Sequence, residues 1–392
     1  MAKSHEETWE DILSRSITTP LDLPEVLKLD KTEGLESLAQ KYPMRINPYT
    51  LRLISKKNDF FYKQAVPDLQ ELTDSRGFDD PLNEENLSPV PGLTHHYPDR
   101  VLFLVSSQCA MYCRFCNRKR KVGRPSMVTK ETIREGIAYI KKTRKVRDVL
   151  LSGGDPLLLP DKEIYRILAE LRSVSHVEII RIGTRVPCTL PQRVTPELAN
   201  LLKGFHPLFI NTHFNHPHEI TPEAALACAT LADAGIPLGC QTVLLKGVND
   251  DAKTIRDLMQ KLLTVRVKPY YLFQADRAKG TAHFWTPLRK GMDIISKLQG
   301  HTTGLCVPHF AVDLPGGGGK VNLVPSAITE REGKTFIRNY RGEEYEWDTW
   351  GVNSDQSTVN SKGQRSEPQS LRGQLMLKQP RRAITKTRKG KR

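Results

Sequence analysis

Seven short apolar runs dominate the middle of the chain: VLFLV from Val101, VLLSGG from Val149, VEIIRIG from Val177, LFINTHF from Leu208, GCQTVLL from Gly239, YYLFQAD from Tyr270 and HFAVDLP from His309. Most are nearly continuous in apolar side chains, the pattern of strands covered on both faces. Between them lie stretches with helical spacing, such as Thr132 to Lys142 and Thr221 to Ala234. Strands alternating with helices predict parallel βα units of an α/β protein, and six or seven units suit an open or partial (β/α) barrel. Polar residues gather where the runs end, which on such a barrel is the functional face. The first ninety or so residues carry helix and turn punctuation instead: Ser4 ahead of Glu6 and Glu7, Thr19-Pro20 and Leu23-Pro24. The expected organisation is a helical cap over residues 1–95, the barrel over 96–325, and an extension with a basic tail over 326–392.

Composition narrows the class. With 392 residues, 38% of them hydrophobic, the chain can bury a large catalytic core. The sequence has neither a long apolar run of membrane-spanning length nor, in MAKSHEETWEDIL, the layout of a secretory signal, so a cytoplasmic protein away from membranes is expected. Seven cysteines, an odd number, do not read as a disulfide framework. The net charge of +15 changes the picture less than its size suggests. From Lys362 to Arg392, eleven basic residues against one acid, Glu367, carry about two-thirds of the excess. That segment has too few large apolar residues to offset its ordering entropy and is expected to be disordered, either a solvated tail or a non-specific contact for RNA or another polyanion.

Chemistry enters at QCAMYCRFCNRKRK, from Gln108, directly after the first apolar run. Cys109, Cys113 and Cys116 form a C-x3-C-x2-C triplet whose soft thiolates can wrap one [4Fe-4S] cluster and leave an iron open. A structural zinc would want a fourth ligand, and no CxxC partner occurs elsewhere. The surrounding Arg and Lys favour thiolates over inert buried thiols. Tyr112 and Phe115 serve either as a shield for the cluster or as ordinary packing.

Two further motifs lie at run ends. In LLSGGDPLL, Gly153, Gly154 and Asp155 let bare backbone approach a ligand's amino and carboxylate groups. DLPGGGGKV ends its glycine run at Lys320 and is no Walker loop, since Val321 replaces the required Ser or Thr. A Lys brought in by such a close-approaching backbone can lose solvation and form an imine with a carbonyl, unless it is simply a solvated side chain on a flexible loop.

On these motifs the sequence resembles the lysine 2,3-aminomutase family of radical S-adenosylmethionine enzymes, from the N-terminal helices to about Pro325. The resemblance implies S-adenosylmethionine at the open iron, its methionine part held at Gly153, Gly154 and Asp155, with further contacts from Asn211, Thr212, His213 and Gln241. His213, His216 and His218 as a metal triad is the alternative, against which Pro217 and the strand-to-loop setting argue. Arg181 and Arg185 serve either the cofactor or structural ion pairs. The resemblance makes Lys320 the residue that binds pyridoxal 5'-phosphate, with His96, Tyr97 and Arg100 as candidates for its phosphate. Family members often carry Arg where this chain has His96, a change that makes phosphate binding more pH-sensitive.

The same resemblance gives Arg118 the substrate carboxylate, and gives Asp276 and Asp313 the side-chain ammonium of lysine; two carboxylates around one ammonium disfavour glutamate. It therefore implies an isomerase that turns L-lysine into β-lysine by 2,3-amino migration. Its partners would be a small amino acid, a reductant such as flavodoxin or ferredoxin, and a second copy of the chain in a homo-oligomer. Rearrangement of another amino acid, or an RNA-associated iron–sulfur protein using the basic tail, are the rival readings. The family's interfacial zinc site lacks its cysteines here: Asp251 follows the GVND segment and no cysteine follows Cys306. Cys188, Cys228, Cys240 and Cys306 read as small apolar packing residues.

Overall fold

The structure is a computed structural model that describes residues 7–29, 33–325, 327–332, 334–339 and 341–347. The expected start at Ser4 and the expected disorder of the tail after Lys362 lie outside the described residues. Two compact units divide the chain, one ending at Pro325 and the other beginning at Ser326.

In the first unit all seven apolar runs are strands. A nine-stranded sheet runs in chain order: β1 (Leu93–Tyr97), β2 (Arg100–Ser106), β3 (Asp148–Gly153), β4 (Ile179–Gly183), β5 (Leu208–His213), β6 (Leu238–Leu244), β7 (Val267–Gln274), β8 (His309–Leu314) and β9 (Gly319–Leu323). From β2 to β8 every neighbour is parallel, while β1 and β9 pair antiparallel with β2 and β8. Helices over Lys130–Lys142, Asp161–Arg172, Pro196–Lys203, Pro222–Asp233, Ala252–Thr264 and Leu288–Leu298 make the crossovers. The sequence explains their limits. Thr129, Thr195, Thr221 and Asp251 accept hydrogen bonds from the first turns of their helices, and Ile133, Ile137 and Ile140 repeat at helical spacing to bury one face. Gly136 lets its helix close on the sheet, since a Cβ there would run into the Phe103 ring.

The edges of this sheet meet across a seam: the Lys320 backbone N–H on β9 donates to the Tyr97 hydroxyl on β1 at 2.9 Å. The result is a nearly closed mixed barrel.

The N-terminal portion is a set of short helices, Trp9–Ser14, Leu35–Lys41, Pro48–Arg52, Phe60–Ala65 and Gln70–Thr73. Thr8 and Asp11 form the capping box that starts the first. Thr19-Pro20 and Pro24 open single 3-10 turns. Leu23, Met44, Ile46, Phe61 and Val66 build a small core here that takes in Met111 from the cysteine loop. The second unit contains a three-stranded antiparallel sheet of β10 (Ile328–Arg331), β11 (Lys334–Arg338) and β12 (Glu344–Trp347).

Candidate active site

A cavity of 480 Å³ opens where the parallel strands end, a size suited to a small-molecule site. Its wall includes the three cysteines, Arg118, the Gly153–Asp155 turn, His213, Gln241, Asp276, Asp313, Lys320, His96 and Tyr97 of β1, and Arg100 at the start of β2. Residues far apart in sequence thus share one wall. His216 and His218 stay outside it: the His216 ring stacks on Phe60 at 3.8 Å and touches His218 edge-on.

The cysteine loop is clamped by buried charge. Arg114 donates twice to the fully buried Glu71, at 2.9 and 2.6 Å, and Lys119 donates to the same carboxylate at 2.8 Å. Burial acts to raise the Glu71 carboxyl, but Arg114 and Lys119 overcome it and hold it at about 2. Arg45 donates to the Cys109 carbonyl at 3.2 Å, and Asn47 to that of Ala110 at 3.1 Å. Burial pushes the Cys109 thiol up and the Cys116 thiol up to about 11, while the charge of Arg45 acts against this at Cys109 and that of Arg118 and Lys119 at Cys116.

The Gly153–Asp155 turn faces the protein as much as the cavity. A Cβ on Gly153 would strike the Ser106 carbonyl oxygen and one on Gly154 that of Gln108, so bare backbone is needed to reach the cysteine loop. Gly154 and Asp155 donate backbone hydrogen bonds to those carbonyls at 2.6 and 2.7 Å. The Asp155 carboxylate accepts from the Leu157 and Arg185 amides and the Thr184 hydroxyl, at 3.1, 2.7 and 2.7 Å, so it ties β3 to the loop after β4. Arg185 in turn donates to the Cys113 sulfur at 2.9 Å and to Gln64 at 2.7 Å, and pairs with the buried Glu219 at 3.2 Å. His213 shares a hydrogen bond with Asn215 at 2.9 Å; burial, then Arg185, pushes it down to about 3, so it is neutral. Gln241 accepts from Tyr270 at 3.4 Å, and Arg181 donates to Asp148 at 2.8 Å. Thr212 bonds to the Gly239 carbonyl and is wholly buried.

Lys320 sits on a strand, not in the glycine loop. It stands opposite Asp313 in the β8–β9 ladder, and its Nζ donates to both oxygens of that carboxylate at 2.8 Å. The ammonium also lies 3.9 Å from the Phe273 ring centroid. Beside it His96 keeps a buried Nδ1 without a hydrogen-bond partner, and Arg100 stacks on Tyr97 at 3.9 Å. Asp276 accepts from Asn117 at 2.7 Å; burial and then the charge of Asp313 push it up to about 7.

Arg118 is already engaged. Its Nε and Nη2 donate to one oxygen of the buried Glu84 at 2.8 and 2.5 Å, while Nη1 makes no hydrogen bond among the described residues. Glu84, Glu71 and Gln64 carry no motif, and the sequence offers no signal that would single them out; Asn117 directly follows Cys116 but was passed over.

Two family profiles match: the Radical SAM superfamily over residues 103–259, and Lysine-2,3-aminomutase over 295–348. The chain is 49% identical to the L-lysine 2,3-aminomutase of Clostridium subterminale, over 85% of its own length and 82% of the relative's. The chain belongs to the lysine 2,3-aminomutase family. Against the enzyme of the same name from Methanococcus maripaludis the identity is 50%, covering 86% and 81%. The Glutamate 2,3-aminomutase of Clostridioides difficile is 42% identical, covering 86% and 82%.

As a member of that family the protein is a radical S-adenosylmethionine isomerase, dependent on a [4Fe-4S] cluster and S-adenosylmethionine. The cavity fits such cofactors. Three free cysteines line it from one loop, and soft thiolates are the ligands such a cluster takes. Cys188, Cys228, Cys240 and Cys306 are buried. Among the described residues no helix is long and apolar enough to cross a membrane.

Proposed function

We propose that the chain converts L-lysine to β-lysine by 2,3-amino migration, with Cys109, Cys113 and Cys116 holding the cluster and Lys320 holding pyridoxal 5'-phosphate. The observation that carries the choice of lysine is the ammonium of Lys320 itself, gripped by both oxygens of Asp313 inside the cavity while Asp276 lies close enough to feel the Asp313 charge. Once Lys320 is engaged by the cofactor, that carboxylate is released for another primary ammonium. A glutamate side chain would bring a third carboxylate into the same space and be repelled. Relatives named for lysine and for glutamate both match the chain, so the acids carry the distinction.

When bound, the cluster with S-adenosylmethionine supplies a radical that removes hydrogen from the substrate β-carbon, and pyridoxal phosphate carries the migrating amino group. The protein's part is placement. The Nη1 group of Arg118 is open to the substrate carboxylate, Asp276 and Asp313 hold the far ammonium, and His96, Tyr97 and Arg100 surround the phosphate position. The Gly153–Asp155 turn, Gln241 and neutral His213 border the nucleotide, His213 with a ring nitrogen that stays uncharged. Flavodoxin or ferredoxin in the cytoplasm would supply the electron.

Anaerobic reconstitution with iron, sulfide, pyridoxal phosphate and S-adenosylmethionine, followed by assays with lysine, glutamate and other amino acids, tests this. β-Lysine is the expected product; rearrangement of another amino acid in its place would overturn the role given to the two aspartates.

A further inference from the structure

We propose that Glu84 is a positioning residue that aims Arg118 and, through its loop, sets the distance between the carboxylate grip and the lysine that carries the amino group. This rests on the role given above to Arg118. Glu84 is 5% exposed and belongs to a loop with no regular structure. One carboxylate oxygen takes both Nε and Nη2 of Arg118, and the other lies 3.5 Å from Lys121. The guanidinium is thereby fixed in plane and rotation, and among the described residues Nη1 has no acceptor. Lys121 is a second cation on the same acid.

The same loop reaches the other half of the site. The Pro81 carbonyl accepts from Gly316 at 3.0 Å, Asn83 donates to the Gly316 carbonyl at 3.3 Å, and Leu87 packs on Gly317, within the glycine run that leads to Lys320. An α-amino acid carries its amino and carboxylate groups on one carbon, so a productive pose demands a fixed span between Lys320 and Arg118. The loop from Pro81 to Leu87 touches the supports of both. It acts as a gauge for that span, and Glu84 is its contact with Arg118.

The test is a binding comparison of lysine with lysinamide, which lacks the carboxylate. Binding is read from the pyridoxal absorbance of the reconstituted enzyme without S-adenosylmethionine, so nothing turns over. Glu84→Gln is expected to weaken lysine binding roughly tenfold or more and lysinamide binding by less than about twofold. Arg118→Met should erase the preference for lysine altogether. If Glu84→Gln weakens both ligands equally, or neither, while Arg118→Met erases the preference, Glu84 does not aim Arg118 and the inference falls alone. If Arg118→Met leaves the preference intact, Arg118 is not the carboxylate grip and both fall. Should Glu84→Gln not fold, Glu84→Asp keeps the charge on a shorter arm: a selective loss for lysine supports the inference, and an equal loss overturns it.

Discussion

The loop that carries Cys109, Cys113 and Cys116 is fastened by buried charge, whereas the hairpin that carries Lys320 hangs at the sheet edge with its key side chains partly exposed. At the first end, Arg114, Lys119 and Arg185 are each at most a tenth exposed and each meets a fully buried acid, Glu71 or Glu219. At the second, Lys320 and Asp313 are 24% and 21% exposed, and the turn between them is mostly glycine. Buried ion pairs are weak as a source of stability but strong as a specification of geometry. Such a specification suits thiols that must keep their places around a cluster. Lys320, by contrast, has to trade Asp313 for a cofactor, which calls for a side chain that can leave its partner at little cost.

Three measurements test this contrast. Glu71→Gln should have the largest effect, because it strands two buried cations; a loss of about 3–5 kcal/mol in denaturant unfolding is expected, with iron content per chain falling in step. A variant with full iron and nearly unchanged stability would show that the loop does not depend on its clamp. Lys320→Ala should abolish the pyridoxal–lysine absorbance and lower turnover by about a thousandfold or more, yet shift stability by less than about 1 kcal/mol. A stability loss matching that of Glu71→Gln would erase the distinction between the two ends. The smallest effect concerns pH. Because burial and Asp313 raise Asp276 to about 7, its neutral form prevails below that pH, and a cationic side chain binds best to the ionised form. Lysine KM should therefore fall by up to about tenfold per unit as pH rises toward 7 and level off above it, with Asp276→Asn flattening the profile. A wild-type profile already flat across this range would remove Asp276 from the ammonium site.

How much of this was readable in the chain depends on where each partner lies in sequence. The parallel strands announced themselves because burial on both faces demands apolar runs. β1 and β9 did not: LTHHY is mostly polar, and GKVNL begins inside a glycine run that reads as a loop. Lys320 was singled out by its motif, but the strand that carries it was not legible. The cysteines stand in a short local pattern, whereas Arg118, Asp276 and Asp313 were picked out only through the resemblance to the family. Glu84 and Glu71 gain their meaning from partners 34 and 43 residues away, a relation that no periodicity encodes. The Gly153-Gly154 pair was legible as a place of close approach, but not what approaches it, which is the neighbouring loop's own backbone.

The register of the β8–β9 ladder turns the glycine run into a ruler. With Asp313 opposite Lys320 and Leu314 opposite Gly319, one residue added between them would slide β9 by a single step and turn Lys320 to the other side of the sheet. Two added residues would restore the side but carry the ammonium roughly 7 Å along the strand, past its acid. Gly316, Gly317 and Gly319 all take positive φ, so this turn is constrained in conformation as well as in length. Insertions elsewhere on the surface can be absorbed by slack chain, but here a single added codon would take the amine out of the cavity wall.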